Sequence, residues 1–126
     1  MNITVRRLTV ADVYRLRCIV SKEIAEAAYI SWPFTKEVAL SFITEYNTWA
    51  IMINDDIFAG AIEIKDTHET AYLVASRYQN NGIATAAIKQ IKEIFRDRQL
   101  WCMINPENVA SLRVATKSNM RIQFYR

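Results

Sequence analysis

An α/β fold, with a mixed and mostly antiparallel sheet and helices on both of its faces, is predicted by three features of the sequence. Segments with strand-like and helix-like apolar spacing alternate along the chain. Residues 48–53, 57–64 and 71–75 are three consecutive strand segments separated by short polar turns, which predicts antiparallel neighbours. A helical segment at 84–95 then leads to a buried strand at 100–104. A strand–helix–strand unit of this kind places the last strand parallel to strand 71–75.

The composition is that of one ordinary globular domain spanning residues 1–126, with 52% hydrophobic and 23% charged residues. Its apolar runs are shorter than the roughly 20 residues of a membrane span, and the N-terminus lacks the pattern of a signal peptide. We therefore expect a cytoplasmic protein without a membrane partner. The net charge of +3 comes from scattered basic residues, so a nucleic-acid partner is not expected.

The two cysteines, Cys18 and Cys102, are far apart, and the chain has a single histidine. This spacing is not that of a metal site, so no metal is predicted. Both cysteines are expected to be reduced residues of the core.

The N-terminal third is predicted to contain a strand and two helices. Residues 3–8 alternate as a half-buried strand does. Thr9 and Asp12 resemble a capping box, and the apolar stripe that follows predicts one helix through Val13, Leu16, Val20 and Ile24. Thr35 is placed to cap a second helix, whose buried face would be Val38, Ala39, Phe42 and Ile43.

The C-terminal segment is predicted to form a short helix and one strand. Asn105 and Pro106 would start the helix, because proline is tolerated at an early helical position. Leu112 and Ala115 would face the core, and Asn119 stands where a left-handed residue ends a helix. Residues 120–125 form the closing strand.

The turn between strand 71–75 and the following helix is the most informative stretch. A strand that runs through a polar turn into a helix leaves backbone N–H groups of the first helical turn without partners. Together with the helix dipole, these groups suit a phosphate. Gly82, one of only two glycines in the chain, allows a bulky anion to approach the backbone. The turn is formed by Gln79, Asn80, Asn81, Gly82, Ile83, Ala84 and Thr85.

This turn resembles the signature of the GNAT superfamily of acetyl-CoA-dependent N-acetyltransferases. The signature is Arg or Gln, two residues, Gly, one residue, then Gly or Ala, and Gln79, Gly82 and Ala84 match it. The whole run AYLVASRYQNNGIATAAIKQI is similar to the family's strand, turn and helix. The stretch NPENVASLRVATKSNM resembles a second family pattern, with Asn108, Ser111 and Lys117 in register. Upstream, ISWPFTKEVALSFI is similar to the ribosomal-protein-alanine acetyltransferase branch.

The resemblance implies a single GNAT-like acetyltransferase domain that binds acetyl-CoA and transfers the acetyl group to an amine. The amine would attack the thioester directly, and it would be a protein N-terminus or a small amine. The backbone of residues 79–84, with Thr85, would hold the coenzyme A pyrophosphate. The backbone of Leu73 and Val74 would bind the pantetheine amides, and a backbone N–H near Val74 would polarise the thioester carbonyl. Asn108 either reaches the pantetheine arm or only caps the last helix.

Catalytic residues are less well matched than the cofactor turn. Many family members use a Tyr on the last helix to protonate the departing thiolate, and that position is Ala115 here. The branch that the chain resembles uses a serine, which implies Ser111, although a packing role for Ser111 is equally simple. Glu63, on a strand facing the expected cleft, is a candidate general base or an ordinary surface carboxylate. His68 is the alternative base but lies in a polar turn.

The C-terminus departs from the family pattern. Family members continue into a pair of antiparallel strands, whereas this sequence has room for one, so the strand pair is expected to be shortened. A homodimer in which a second copy completes the sheet would compensate.

The alternative function is a catalytically impaired coenzyme A-binding or interaction module. Trp32 and Phe34 would either line the acceptor groove or pack the N-terminal helices together.

Overall fold

The computed structural model describes residues 1–125 as two sheets with helices on both sides. The strands are β1 (Ile3–Arg7), β2 (Asn47–Ile53), β3 (Ile57–Ile64), β4 (Thr70–Val74), β5 (Trp101–Ile104) and β6 (Arg121–Phe124). The α-helices are α1 (Val13–Ile19), α2 (Lys22–Ala27), α3 (Lys36–Glu45), α4 (Ile83–Ile94) and α5 (Val109–Lys117). None of the helices in this part of the chain is long and apolar enough to span a membrane.

The strands confirm the predicted mixed topology. Strands β1, β2, β3 and β4 form an antiparallel sheet in that order, and β5 pairs with β6 in parallel through the α5 crossover. Within residues 1–125, the two sheets are connected by a single parallel bridge between Glu69 and Trp101. The α/β fold class is therefore confirmed, and β4 and β5 are parallel but joined at one end only.

The antiparallel sheet has an apolar core on each face. Residues paired across antiparallel strands point to the same face of a sheet. Ala50, Ala61 and Leu73 are paired in this way and pack in one cluster with residues of α1, α2 and α3. Ile62 and Val74 belong to the other cluster, with residues of α4, α5 and β5. The helices on both faces, which the sequence predicted, are thus held by burial of apolar surface.

The N-terminal helix is shorter than predicted. The apolar stripe is buried at Leu16, Val20 and Ile24, but the chain is extended at Val20, and a new helix begins after Ser21. The Ser21 hydroxyl accepts a hydrogen bond from the Ile24 N–H at 3.1 Å. This cap competes with continuation of the first helix, because a serine that bonds local backbone favours a helix start over a helix interior.

Two other predictions were wrong in detail. Helix α5 begins at Val109, capped by Asn108, because Asn105 uses its side-chain oxygen to accept from the Glu107 N–H at 2.9 Å and holds that segment as a turn. Cys18 is exposed on α1, since the apolar stripe faces the other way, whereas Cys102 is buried as expected. Asn119 has φ of 57°, which confirms the left-handed end of α5.

A buried carboxylate, Asp12, connects β1 to the helical layer. Its side chain is 2% exposed and receives two hydrogen bonds of 2.8 Å from the Arg6 guanidinium and one of 2.9 Å from the Thr9 N–H. The Arg6 hydrogen bond lowers the pKa of Asp12 to about 2, against the opposing effect of burial. The folded pKa is below the unfolded value of about 3.9, so the stabilisation is present above about pH 4 and is lost as the pH falls towards 2.

We expect Asp12→Asn to lower the free energy of unfolding by about 1–2 kcal/mol near pH 7, a value reduced because Arg6 is partly exposed to solvent. The difference between the variant and the parent should disappear as the pH falls from about 4 to about 2. Urea unfolding across this pH range measures it. Asp97→Asn, which removes an exposed carboxylate, is the control and should have little effect. A pH-independent difference would contradict the assignment.

Candidate active site

A gap opens between β4 and β5 because the two strands meet at one end only. The Trp101 N–H donates to the His68 carbonyl at 3.2 Å, and the Trp101 indole donates to the Thr67 carbonyl at 2.9 Å. Beyond these contacts the strands belong to different sheets. His68 thus contributes its backbone to the junction. An unpaired strand edge of this kind can form hydrogen bonds with an extended ligand.

The backbone of β4 divides its hydrogen-bonding groups between β3 and the gap. The Lys65 N–H donates to the Glu69 carbonyl, and the Ala75 N–H donates to the Ala59 carbonyl, each at 2.8 Å. Because hydrogen-bonding direction alternates along a strand, the backbone groups of Leu73 point to β3, opposite Ala61. Those of Tyr72 and Val74 point into the gap. Val74, one of the two predicted β4 contacts, therefore has backbone groups on the ligand side.

The predicted turn follows β4 after a short 3-10 segment, Ser76–Tyr78, which the sequence did not indicate. Asn80 and Gly82 both have left-handed backbones, with φ of 64° and 73°. The Gln79 side chain donates to the Val74 carbonyl at 3.0 Å, and the Asn81 side chain donates to the Gln79 carbonyl at 3.2 Å. These side chains hold the turn against the end of β4.

The first turn of α4 presents uncapped backbone N–H groups. Gly82 is the N-cap residue and has no side chain to accept from them. The Ala86 N–H donates to the Gly82 carbonyl at 3.0 Å, so the preceding N–H groups of Ile83, Ala84 and Thr85 lie before the first helical hydrogen bond. An added Cβ at Gly82 would find no atom within 4 Å, so the space in front of this turn is open. Such an arrangement fits a phosphate group.

A cleft runs from this turn through the gap to the other side of the sheet, in two parts. We call the first part, of about 370 Å³, the turn-side cavity because Gly82, Ile83, Ala84 and Thr85 line it. We call the second, of about 1000 Å³, the acidic cavity, for the charges described below. The residues that line both parts are Ala27, Ala28, Tyr72, Asn108, Ser111 and Val114.

The two parts of the cleft carry opposite charges. Arg113 and Lys117, four residues apart on α5, line the turn-side cavity, which has no carboxylate among its described lining residues. The charged residues that line the acidic cavity are Glu37, Glu45, Glu63, Asp66, Glu69 and Lys65. Lys65 is paired with Glu69 at 3.2 Å. The turn side therefore favours an anion, and the acidic side favours a cation.

Glu63 lies on β3 opposite Ala71, on the face of the sheet that carries α1, α2 and α3. Its side chain is partly buried in the wall of the acidic cavity. Burial raises the pKa of Glu63. The charge of Lys65 lowers this pKa and the charge of Glu69 raises it, and both effects are smaller than that of burial. A carboxylate with a raised pKa accepts a proton more readily than an exposed one, which suits a general base.

Ser111 and Tyr72 meet at the boundary between the two cavities. The Tyr72 hydroxyl lies 3.4 Å from Ser111 Oγ, to which it donates across the gap from β4 to α5. Burial raises the pKa of Tyr72, and the Ser111 hydrogen bond partly opposes that shift. The sequence did not indicate Tyr72, since one tyrosine in an apolar strand has the pattern of a core residue. Arg113 was missed as well, because an exposed arginine on a helix is usual.

Asn108 takes the capping role that the sequence allowed. Its side-chain oxygen accepts from the Ser111 N–H at 3.1 Å, which fixes the start of α5. Asn108 also lines both cavities, so the cap residue stands on the ligand path.

Phe34 is buried in the core and lines the acidic cavity, whereas Trp32 is 47% exposed. Among residues 1–125, no group of three metal-ligating side chains lies together.

The family model described as "Acetyltransferase (GNAT) domain" matches residues 2–121. The chain belongs to the GNAT acetyltransferase family. A search of curated proteins for similar sequences found no match. The GNAT assignment agrees with the gap between β4 and β5 and with the uncapped turn that precedes α4.

Solved GNAT structures share the fold over most of this chain. A GNAT family acetyltransferase from Bacillus anthracis is 23% identical with a TM-score of 0.76, covering 96% of this chain and 81% of its own. The microcin C7 self-immunity acetyltransferase MccE, in complex with acetyl-CoA and AMP, is 16% identical with a TM-score of 0.74. The match covers 92% of this chain and 77% of MccE. The PaiA N-acetyltransferase from Thermoplasma acidophilum, in complex with coenzyme A, is 17% identical with a TM-score of 0.68. The match covers 93% of this chain and 88% of the PaiA chain.

Proposed function

We propose that this GNAT domain is an N-acetyltransferase that moves an acetyl group from acetyl-CoA to an amine. The observation that carries the proposal is the cleft itself, whose cationic half begins at the uncapped turn of α4 and whose acidic half lies beyond the gap. An anionic thioester donor and a cationic amine acceptor would each meet the matching charge. Relatives solved with acetyl-CoA or coenzyme A support the identity of the donor.

The turn-side cavity fits the phosphate groups of coenzyme A. The backbone N–H groups of residues 79–85 would receive the pyrophosphate, and Arg113 and Lys117 would add charge. Gly82 would leave room for close approach, because its φ of 73° and open surroundings place no side chain there. The backbone of Val74 would bind the pantetheine chain in the gap, while Leu73 lines the wall. Asn108 would keep its cap and present its amide to the ligand.

The acceptor would be a primary amine that enters as a cation and loses a proton before it attacks. A protein α-amine has a pKa near 8 and a lysine-like amine one near 10.4, so both are largely protonated near pH 7. The acidic cavity would attract either, and Glu63 would take the proton. Bound acetyl-CoA supplies the activated acetyl group. The leaving sulfur would be protonated at the boundary of the two cavities, which Ser111 lines.

Acetyl-CoA and free coenzyme A should each raise the melting temperature, because a ligand that binds only the folded state stabilises it. The double variant Arg113→Gln/Lys117→Gln should lose about tenfold or more in affinity, since two charged contacts of at least about 0.7 kcal/mol each are removed. Thermal shift followed by isothermal titration measures both effects.

The matched control is Lys89→Gln/Arg96→Gln, which removes the same two charges from exposed positions, one on α4 and one just after its end. It should bind coenzyme A as the parent does. If the parent shows no shift with either ligand, the proposal fails. If ligands bind but no amine in a panel of peptides and polyamines releases thiol, a coenzyme A-binding module is the better description. The buried Ala115, at the position where many family members have a catalytic tyrosine, motivates that second candidate.

A further inference from the structure

We infer that the hydroxyl of Tyr72 on β4, held by Ser111 on α5, is the group that donates a proton to the leaving sulfur in this protein. The inference rests on the proposed acetyl transfer and assigns one step of it to a residue for which the sequence motifs imply no role. It also accounts for the alanine at position 115, because Tyr72 brings a phenol to the same helix from the neighbouring strand.

The first support is the position of Tyr72 in the cleft. Tyr72 lines both the turn-side cavity and the acidic cavity, so it stands where the donor and the acceptor would meet. Its backbone also points into the gap, since the backbone groups of Leu73 are directed to β3. The reacting thioester would have to pass this residue to reach the acidic cavity.

The second support is the geometry on α5. Ser111 and Ala115 are four residues apart and therefore lie on the same face of the helix. Tyr72 packs against the cluster that contains the buried Ala115, and its hydroxyl reaches Ser111, one turn earlier on that face. The phenol of Tyr72 thus occupies the side of the gap that a phenol from α5 would otherwise serve.

The third support is the chemistry of the two hydroxyl groups. A phenol has a pKa near 10 and a thiol one near 8.5, so the phenol is a much better match for the departing thiolate than an aliphatic hydroxyl. Burial keeps the Tyr72 hydroxyl protonated near neutral pH, because it raises the pKa of the phenol further. Ser111 is then a positioning residue: its Oγ accepts from the Tyr72 hydroxyl before the reaction. Once the Tyr72 proton has moved to sulfur, the Ser111 hydroxyl can donate its own proton to the phenolate oxygen.

The proton balance of the step is complete. The amine nitrogen forms a bond to the acetyl carbon while the carbon–sulfur bond breaks and the electron pair leaves with sulfur. The sulfur takes the Tyr72 proton and becomes the free thiol. The nitrogen gives up two protons in all: the first, taken by Glu63 before the attack, passes to solvent, and the second, lost as the amide forms, reaches the phenolate through water in the cleft. Glu63 and Tyr72 lie on opposite faces of the sheet, so the two proton transfers occur on opposite sides of the gap.

The test compares binding of coenzyme A with binding of desulfo-coenzyme A, which lacks the sulfur, and so needs no acceptor. The parent should bind coenzyme A about fivefold more tightly near pH 7, the value of one neutral hydrogen bond. The preference should grow to about tenfold or more near pH 9, where the thiolate forms a stronger, charge-assisted bond. In Tyr72→Phe, the preference and its pH dependence should both disappear, while the affinity for desulfo-coenzyme A stays that of the parent.

Each other result decides against the assignment. If Tyr72→Phe keeps the parent's preference for coenzyme A, another group contacts the sulfur and the assignment is overturned. It is equally overturned if the parent itself does not discriminate between the two ligands. Failure of the parent to bind either ligand refutes the proposed function, and the assignment with it. Ser111→Ala should reduce the preference without abolishing it, which distinguishes positioning from proton donation.

Discussion

Glu63→Gln should slow acetyl transfer by about 10²- to 10⁴-fold, the usual contribution of a general base, with little change in acetyl-CoA affinity. The amide keeps the size of the side chain but cannot take the proton of the amine. In the parent, the rate should fall as the pH drops through the raised pKa of Glu63, because protonation of the carboxylate removes the base. The variant should lack this acidic limb. Thiol release across a range of pH, with an amine found active in the panel, measures both effects.

Stability provides an independent check on Glu63. Burial raises the pKa of Glu63 in the folded state, because it disfavours the charged carboxylate. The charged Glu63 therefore lowers the free energy of unfolding, and this loss begins as the pH rises through the unfolded pKa of about 4.3. Glu63→Gln should therefore be at least as stable as the parent near pH 7 while being far less active. Glu37→Gln, which removes an exposed carboxylate from the wall of the same cavity, is the matched control. If it slows transfer as much as Glu63→Gln, the effect is one of cavity charge and not of a base.

Gly60→Ala should lower the free energy of unfolding by about 3 kcal/mol, at the upper end of the range for overpacking. A Cβ added at Gly60 would lie 2.3 Å from the Leu73 carbonyl oxygen and 3.2 Å from the Val74 Cα. Both atoms are backbone, so the clash can be relieved only by displacing β4. Because β4 forms one wall of the gap, the displacement should also weaken coenzyme A binding. Chemical denaturation and titration with coenzyme A measure the two effects.

Gly82→Ala is the matched control, since it makes the same substitution at the other glycine. Its added Cβ meets no atom within 4 Å, and the cost comes only from the left-handed φ of 73°. That cost is about 1–2 kcal/mol. If Gly60→Ala costs no more than Gly82→Ala, the close approach of β3 to β4 is not what requires a glycine at position 60.

Much of the fold follows from short-range patterns. Residues 48–53 and 57–64, two strand segments separated by a short polar turn, predict two antiparallel strands, and the structure has them at Asn47–Ile53 and Ile57–Ile64. The caps at Thr35 and Asn119 were also predictable, because a cap depends on a few neighbouring residues. Ser21 was missed as a cap because the apolar stripe continues past it, and the stripe does not show where the backbone bends.

Apart from the break at Ser21, the amino-acid sequence by itself determined the order of strands and α-helices, the turn at residues 79–85 and the family to which they belong. These depend on local spacing and on motifs, which are read along the chain. Only the tertiary structure decided which backbone groups of β4 face the gap, that Tyr72 meets Ser111 from 39 residues away, and that the two halves of the cleft carry opposite charges. Each of these depends on groups of separate elements that pairing or packing brings together, and no local pattern records such distances.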